Sequence, residues 1–96
     1  MAERVFDLEI DEWNETEMWR HRVTTREVRQ VLDEEPRFFR NVGEHDAELL
    51  MVGPTFGGRL LTVPLARTAV VGVWRPASAW DADAEERAKY WAARGR

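Results

Sequence analysis

Apolar and polar positions alternate in the first part of the chain, and a period of two is the pattern of a strand with one buried face. The alternation runs from residue 5 to residue 11. Its apolar face would hold Phe6, Leu8 and Ile10, and its polar face Asp7, Glu9 and Asp11. The pattern therefore predicts a first strand whose acidic face is solvated.

Capping signals predict the starts of three helices. In a capping box, a polar cap residue is followed three residues later by Glu, and each side chain bonds the other's backbone N–H. The three pairs are Asn14 with Glu17, Thr24 with Glu27, and Asp83 with Glu86. The helices are expected over residues 15–21, 25–34 and 84–93, with Pro36 ending the second and Gly95 following the third.

The longest apolar stretch, residues 49–65, predicts a central hairpin. Residues 49–52 are apolar on both faces, as in a central strand. Residues 53–58 are rich in Gly and Pro, which favours a turn. The return strand is expected over residues 59–63, with Pro64 at an edge or at the strand's end because proline cannot donate to a ladder.

Two more strands complete the expected fold. Residues 37–42 and 69–75 have strand patterns, a polar turn is expected at 43–46, and Pro76 ends the last strand. The order is β-α-α-β-β-β-β-α, in which strands follow helices. This order predicts an α+β fold with an antiparallel sheet packed against the helices. The length of 96 residues predicts one domain, 1–96.

Composition narrows the functional classes. A net charge of −4 argues against binding nucleic acid through overall charge, but residues 49–96 hold 4 acids and 7 bases, which is compatible with a local phosphate site. There is no Cys, which is compatible with a cytoplasmic location. No membrane span or signal peptide is expected. No spacing of ligands suggests a metal, and no cofactor motif is present.

Three separated segments carry a family resemblance. The first joins Trp13-Asn14 to Arg20-His21-Arg22-Val23-Thr24, the second joins Val52-Gly53 to Gly57-Gly58-Arg59-Leu60-Leu61, and the third joins Ser78-Ala79-Trp80 to Glu86 and Tyr90. In this order they resemble the motifs of BrnT-type toxins of bacterial type II toxin–antitoxin pairs, which have a RelE-like fold. Two positions depart from that pattern, because Trp80 and Glu48 stand where the family motifs carry Arg.

The resemblance implies a metal-independent mRNA endoribonuclease neutralised by a cognate antitoxin. Such cleavage needs a base for the 2′-hydroxyl, donors for the phosphorane charge and an acid for the leaving 5′-oxygen. The implied catalytic residues are His21, Arg59, Glu86 and Tyr90, with Arg75 added by its position three residues before Ser78. The implied RNA-binding residues are Arg20, Arg59, Arg75 and Trp80.

Each implied residue also has a structural interpretation. His21 would bond the last carbonyls of a helix, Arg59 and Arg75 would pair with carboxylates, and Glu86 and Tyr90 would cap and pack a helix. A second hypothesis is therefore a non-catalytic protein-interaction domain with Trp80 in an aromatic contact patch. We expect Trp80 to be partly exposed near Arg59 and Arg75, and Arg59→Ala to leave the fold intact. Oligomeric state stays open.

Overall fold

The structure, a computed structural model, describes residues 4–42 and 47–95 and has an α+β fold. Its elements in chain order are β1 (Asp7–Leu8), α1 (Glu12–Trp19), α2 (Thr25–Asp33), β2 (Arg37–Arg40), β3 (Leu49–Pro54), β4 (Leu60–Arg67), β5 (Val73–Pro76), β6 (Trp80–Asp81) and α3 (Ala84–Arg94). The strands form one sheet in the order β1-β5-β4-β3-β2, with β6 beside β4. The turn expected at 43–46 lies outside the described residues.

The sheet is mixed, so the expectation of a purely antiparallel sheet is wrong. β1 pairs with β5 in parallel, whereas the β2–β3, β3–β4, β4–β5 and β4–β6 pairs are antiparallel. Local pattern could not show this, because β1 and β5 are far apart in the chain. β6 is a further difference, since the two-residue strand was not expected.

Pro64 lies inside β4, which is a central strand, so the prediction that it marks an edge or the strand's end is wrong. It pairs with Leu50 of β3, and its carbonyl accepts the N–H of Ala77 at 2.9 Å. On the other side of β4, the partner strand is interrupted between β5 and β6. Residues 77–79 there face only residues 63 and 64, which is a bulge. A central proline is tolerated because the ladder already breaks beside it.

β5 begins at Val73, four residues later than its β-rich sequence indicated. Gly72 has a φ of 88°, and the N–H of Val73 bonds the carbonyl of Val70 at 3.1 Å, so the chain turns here. Val70 and Val71 are consequently exposed, Val71 at 97%. The β propensity of valine is overridden because, in the described part of the chain, no strand pairs with Val70 or Val71.

β1 is shorter than predicted, but its acidic face is solvated as expected. Asp7, Glu9 and Asp11 are exposed and Leu8 is buried. Phe6, predicted on the buried face, is 66% exposed. Its ring instead lies beside Gly72, where an added Cβ would be 2.5 Å from it.

The helix starts at Thr24 and Asp83 are confirmed, but the start of α1 is three residues earlier than predicted. Thr24 with Glu27 and Asp83 with Glu86 form capping boxes. In α1 the cap is Asp11, and Asn14 is its N3 partner. Asn14 is fully buried, and its side-chain amide also donates to the carbonyl of Glu9 at 2.9 Å. The residue expected to cap α1 is thus a buried link between α1 and the segment that follows β1.

The core is divided between the two faces of the sheet. On one face, α1 and α2 bury Met18, Val28 and Val31 against β3, β4 and β5. On the other face, α3 buries Tyr90 against Val52 and neighbours of β3 and β4. Because α3 covers only part of this second face, an open groove remains beside it.

Replacing Asn14 tests the corrected helix start. Asn14→Ala removes two side-chain hydrogen bonds of a buried residue, and we expect it to lower the free energy of unfolding by about 2 kcal/mol. Glu17→Ala, the partner under the predicted cap, should cost about 0.5 kcal/mol or less. Urea denaturation of both variants measures this. Equal losses would contradict the observed capping box.

Candidate functional site

The three segments that carry the family resemblance meet at one place in the fold. His21 lies in the turn between α1 and α2, Arg59 precedes β4, Trp80 begins β6, and Glu86 lies in the first turn of α3. The rings of His21 and Trp80 are 6.1 Å apart with an edge contact, and Trp80 Nε1 donates to Glu86 Oε1 at 3.2 Å. We call His21, Arg59, Trp80, Asp81 and Glu86 the motif cluster.

Arg59 holds the motif cluster together with its whole guanidinium. Its Nε and Nη2 donate to the carboxylate of Asp81 at 2.7 and 3.1 Å, a bidentate pair. Its Nη1 donates to Glu27 at 3.1 Å and to the carbonyl of Arg22 at 2.8 Å. Nη2 also reaches the carbonyl of His21 at 3.4 Å. A guanidinium has five N–H groups, and these contacts account for all of them.

The turn that Arg59 binds is conformationally unusual. Arg22 has a φ of 59°, in the left-handed region that a non-glycine residue seldom adopts. Its side chain lies over the ring of Trp19, with Cζ 5.0 Å from the ring centroid. The bonds from Arg59 to the carbonyls of His21 and Arg22 therefore stabilise a turn that sequence alone does not favour.

The ionisable groups around Arg59 respond to one another. Hydrogen bonds from Arg59 lower the pKa of Asp81 below its ordinary value. Burial alone would raise the pKa of Glu27, but the N–H of Thr24 and the side chain of Arg59 bond its carboxylate and lower the pKa overall. The bond to Asp81 in turn raises the pKa of Arg59. All three groups are therefore charged at neutral pH.

Glu86 is committed to a second set of contacts. Its Oε1 accepts from Thr62 Oγ1 at 2.9 Å, from Trp80 Nε1 at 3.2 Å and from the N–H of Asp83 at 2.9 Å. Thr62 is buried, so the carboxylate links the start of α3 to the middle of β4. The sequence interpretation of Glu86 as a capping residue is confirmed, and its bonds to Thr62 and Trp80 are additional.

His21 is the least constrained titratable residue of the motif cluster. Its side chain is exposed. Within the part of the chain that the structure describes, its imidazole has a ring contact with Trp80 and no hydrogen bond. The structural interpretation, in which the ring bonds the last carbonyls of a helix, is therefore not seen. The ring nitrogens are therefore open to a bound molecule.

Arg75, Tyr90 and Arg20 lie outside the motif cluster. Arg75 pairs with Asp11 and, at 3.4 Å, with Glu9; the bond to Asp11 raises the pKa of Arg75 and lowers that of Asp11. Tyr90 is fully buried, and its hydroxyl donates to the carbonyl of Glu35 at 3.0 Å. Arg20 is exposed beside Glu17.

Trp80 is partly exposed, as expected, and borders an open groove. The groove has a volume of about 380 Å³ and lies on the face of the sheet that α3 leaves uncovered. Leu50, Pro64 and Ala77 form its apolar floor, with Glu86 at its side. Trp80 directly precedes Asp81, the partner of Arg59, so it lies near Arg59 as expected. No contact in the described part of the structure joins Trp80 to Arg75, so the expectation that these two residues lie close together is not met.

Asp81 and Glu27 were not identified from sequence as partners of Arg59. Asp81 carries no signal of its own, because it is one of several acids near the start of α3. Glu27 was recognised only as a capping residue, a role that it does have. Only the tertiary fold reveals that both carboxylates flank one guanidinium.

The described residues contain neither a candidate metal site nor a candidate membrane helix. Among them, no group of three or more His, Cys, Asp or Glu side chains is placed to hold a metal ion. No helix within residues 4–42 and 47–95 combines the length and apolar character needed to cross a bilayer.

Comparisons of the chain with models of protein families, with curated proteins and with solved structures found no significant match. Family membership is therefore a proposal that rests on the three motif segments and on their position in the fold.

The five hydrogen-bonded N–H groups of Arg59 reverse our expectation for Arg59→Ala. Truncation would leave Asp81 and Glu27 side by side without their cation and free the strained turn at Arg22. We expect a loss of about 2 kcal/mol in the free energy of unfolding, moderated because the side chain is 29% exposed. Arg20→Ala, an exposed pair, is the matched control and should change stability little. Thermal unfolding measures both, and an unchanged midpoint for Arg59→Ala would contradict this role.

Stability should fall in acid through the same carboxylates. Because the folded-state pKa of Asp81 is below its unfolded value, its contribution is complete above about pH 4 and is lost as the pH falls through the lowered pKa. Asp81→Asn should therefore weaken the pH dependence below pH 4 and leave a constant loss above it. Urea titrations between pH 2 and pH 7 measure this. Parallel curves for both proteins would contradict the pairing.

Proposed function

We propose that this protein is a BrnT-like type II toxin, a metal-independent mRNA endoribonuclease of the cytoplasm that a cognate antitoxin neutralises. The observation that carries the proposal is the motif cluster. His21, Arg59 and Trp80 come from three separate motif segments, yet they meet in space. The ring of His21 contacts the ring of Trp80. Arg59 donates to the carbonyl of His21 and to the carboxylate of Asp81, the residue after Trp80. Motifs that are far apart in sequence and adjacent in space are typical of a functional site.

Within this proposal, the residues of the cluster have different tasks. His21 accepts the proton of the attacking 2′-hydroxyl, because its imidazole is exposed and makes no hydrogen bond, and solvent water protonates the leaving 5′-oxygen. Arg59 is a positioning residue: it fixes the turn that carries His21 and has no N–H left for a phosphate. Trp80 offers a partly exposed ring on which a base can stack.

The cations that meet the phosphate would then be exposed arginines around the cluster. Arg22 is exposed at the turn beside His21. Arg87 is exposed on α3 directly after Glu86 of the cluster, and its charge helps to lower the pKa of Asp81. Both can form bidentate bonds with a phosphate without breaking the contacts of Arg59.

A second candidate function is a non-catalytic protein-interaction domain. One observation in its favour is that the N–H groups of Arg59 are already bonded to protein groups. Another is that Glu27, Asp81 and Glu86 place three carboxylates at the site, and their negative charge repels RNA. The groove beside Trp80 would then receive an apolar side chain of a partner, with Trp80 as the energetic centre of the interface.

The decisive experiment is growth during induced expression, with protein levels matched. We compare wild type with His21→Gln and Trp80→Ala, because neither removes a contact of Arg59. Trp91→Ala removes an exposed tryptophan on α3 and is the matched control. We expect wild type and Trp91→Ala to arrest growth and His21→Gln to restore it. RNA cut by purified wild type in the presence of a chelator would then confirm a metal-independent reaction.

Other outcomes separate the two candidates. If wild type arrests growth and only Trp80→Ala restores it, the interaction domain is favoured. If high levels of soluble wild type leave growth unimpaired, toxicity in that host is contradicted. A short neighbouring reading frame with a ribbon-helix-helix pattern would support the toxin proposal, because it would supply the antitoxin.

A further inference from the structure

The two strands that end the main run of the sheet, β1 and β2, are protected unequally. The two-residue β6, which pairs only with β4, forms a further short edge. At β1 the N–H groups of Asp7 and Glu9 bond carbonyls next to and within β5, so the N–H of Leu8 points away from the sheet. That N–H donates instead to Asp7 Oδ1 at 2.8 Å. The outward N–H of this two-residue strand is therefore already bonded within the strand, and a very short edge strand offers little for another strand to pair with.

The β2 edge has no such protection. The N–H of Asn41 bonds the carbonyl of Glu48 toward β3 at 2.9 Å. Because the direction alternates along an antiparallel strand, Arg37 and Phe39 also face β3, whereas Phe38 and Arg40 point outward. Within the described residues, no hydrogen bond outside the ladder involves the backbone of Phe38 or Arg40. This edge thus presents two donors and two acceptors.

We propose that β2 pairs with β2 of a second copy of this chain, in antiparallel orientation about a twofold axis at Phe39. In that register Phe38 lies opposite Arg40 of the second copy. The N–H and the carbonyl of each residue then bond the other, so all four outward groups of each copy are satisfied. Any extended strand could satisfy these backbone groups, so the choice of a second copy depends on the side chains that this register brings together.

The side chains fit the same register. Phe38 is an exposed apolar residue and Arg40 is exposed on the same face of the strand. Opposite pairing brings the guanidinium of one copy to the aromatic ring of the other, a favourable cation–π contact, and keeps the two Arg40 side chains apart. A shift by two residues would pair Arg40 with Arg40 or with Pro36, which supplies no N–H.

The proposed interface is small, and we therefore expect the dimer to be weak. β2 has four residues, so the ladder contains four intermolecular hydrogen bonds, and each copy carries a net charge of −4. Small interfaces form weak, transient complexes. The dimer is therefore concentration-dependent, and added salt strengthens it by screening the repulsion between copies.

Arg40→Pro tests the proposal with little effect on the fold. It removes an N–H that points away from β3, so the β2–β3 ladder keeps its bonds. Sedimentation velocity over a series of concentrations should show dimerisation weakened by at least about tenfold, since both symmetry-related bonds are lost. Arg40→Ala keeps the N–H and should have an intermediate effect. Thermal unfolding confirms that each variant is folded.

Hydrogen exchange gives an independent readout. In wild type the amides of Phe38 and Arg40 should exchange more slowly at high than at low protein concentration, while the amide of Leu8 should not change. Dimers that persist in Arg40→Pro would place the interface elsewhere and overturn the proposal. A protein that is monomeric at all concentrations, with unchanged exchange at Phe38 and Arg40, would also overturn it.

Discussion

The arrangement around the motif cluster depends on the guanidinium of Arg59. This one group joins the turn after α1, the start of α2, and β6, through two carbonyls and the carboxylates of Glu27 and Asp81. The side chains that it binds are partly exposed, so the stabilisation comes more from the number and geometry of its hydrogen bonds than from burial. Without this group, the turn at Arg22 would lose the two bonds from Arg59 to its carbonyls.

Because every N–H group of Arg59 is already bonded, Arg59 can hold other residues of the cluster in place but cannot bind a substrate itself. An arginine that stabilises a phosphate must have N–H groups available in the reaction, and Arg59 has none. In the proposed ribonuclease, proton transfer would therefore be assigned to His21 and phosphate binding to exposed arginines; in the second candidate, binding would be assigned to the groove beside Trp80. The three motif segments therefore locate the cluster, whereas local contacts decide what each residue can do.

Local signals in the sequence predicted those parts of the fold that depend on neighbours in the chain. The capping boxes at Thr24 and Asp83 involve residues three apart, and both are confirmed. The position of Pro64 and the late start of β5 depend on which strand lies alongside, which periodicity does not contain. For the site, Asp81 and Glu27 lie 22 and 32 residues from Arg59, so their pairing required the tertiary structure.

The bulge at residues 77–79 decides on which face of the sheet Trp80 lies. Along β4, Leu61 belongs to the core under α1 and α2, whereas Thr62 faces α3. The extra residue places Trp80 opposite Thr62; in a regular ladder continued from β5, it would lie opposite Leu61. One inserted residue thus turns a large aromatic ring from the interior to the groove. The length of this short connection, more than the residue type at position 80, makes Trp80 a surface feature.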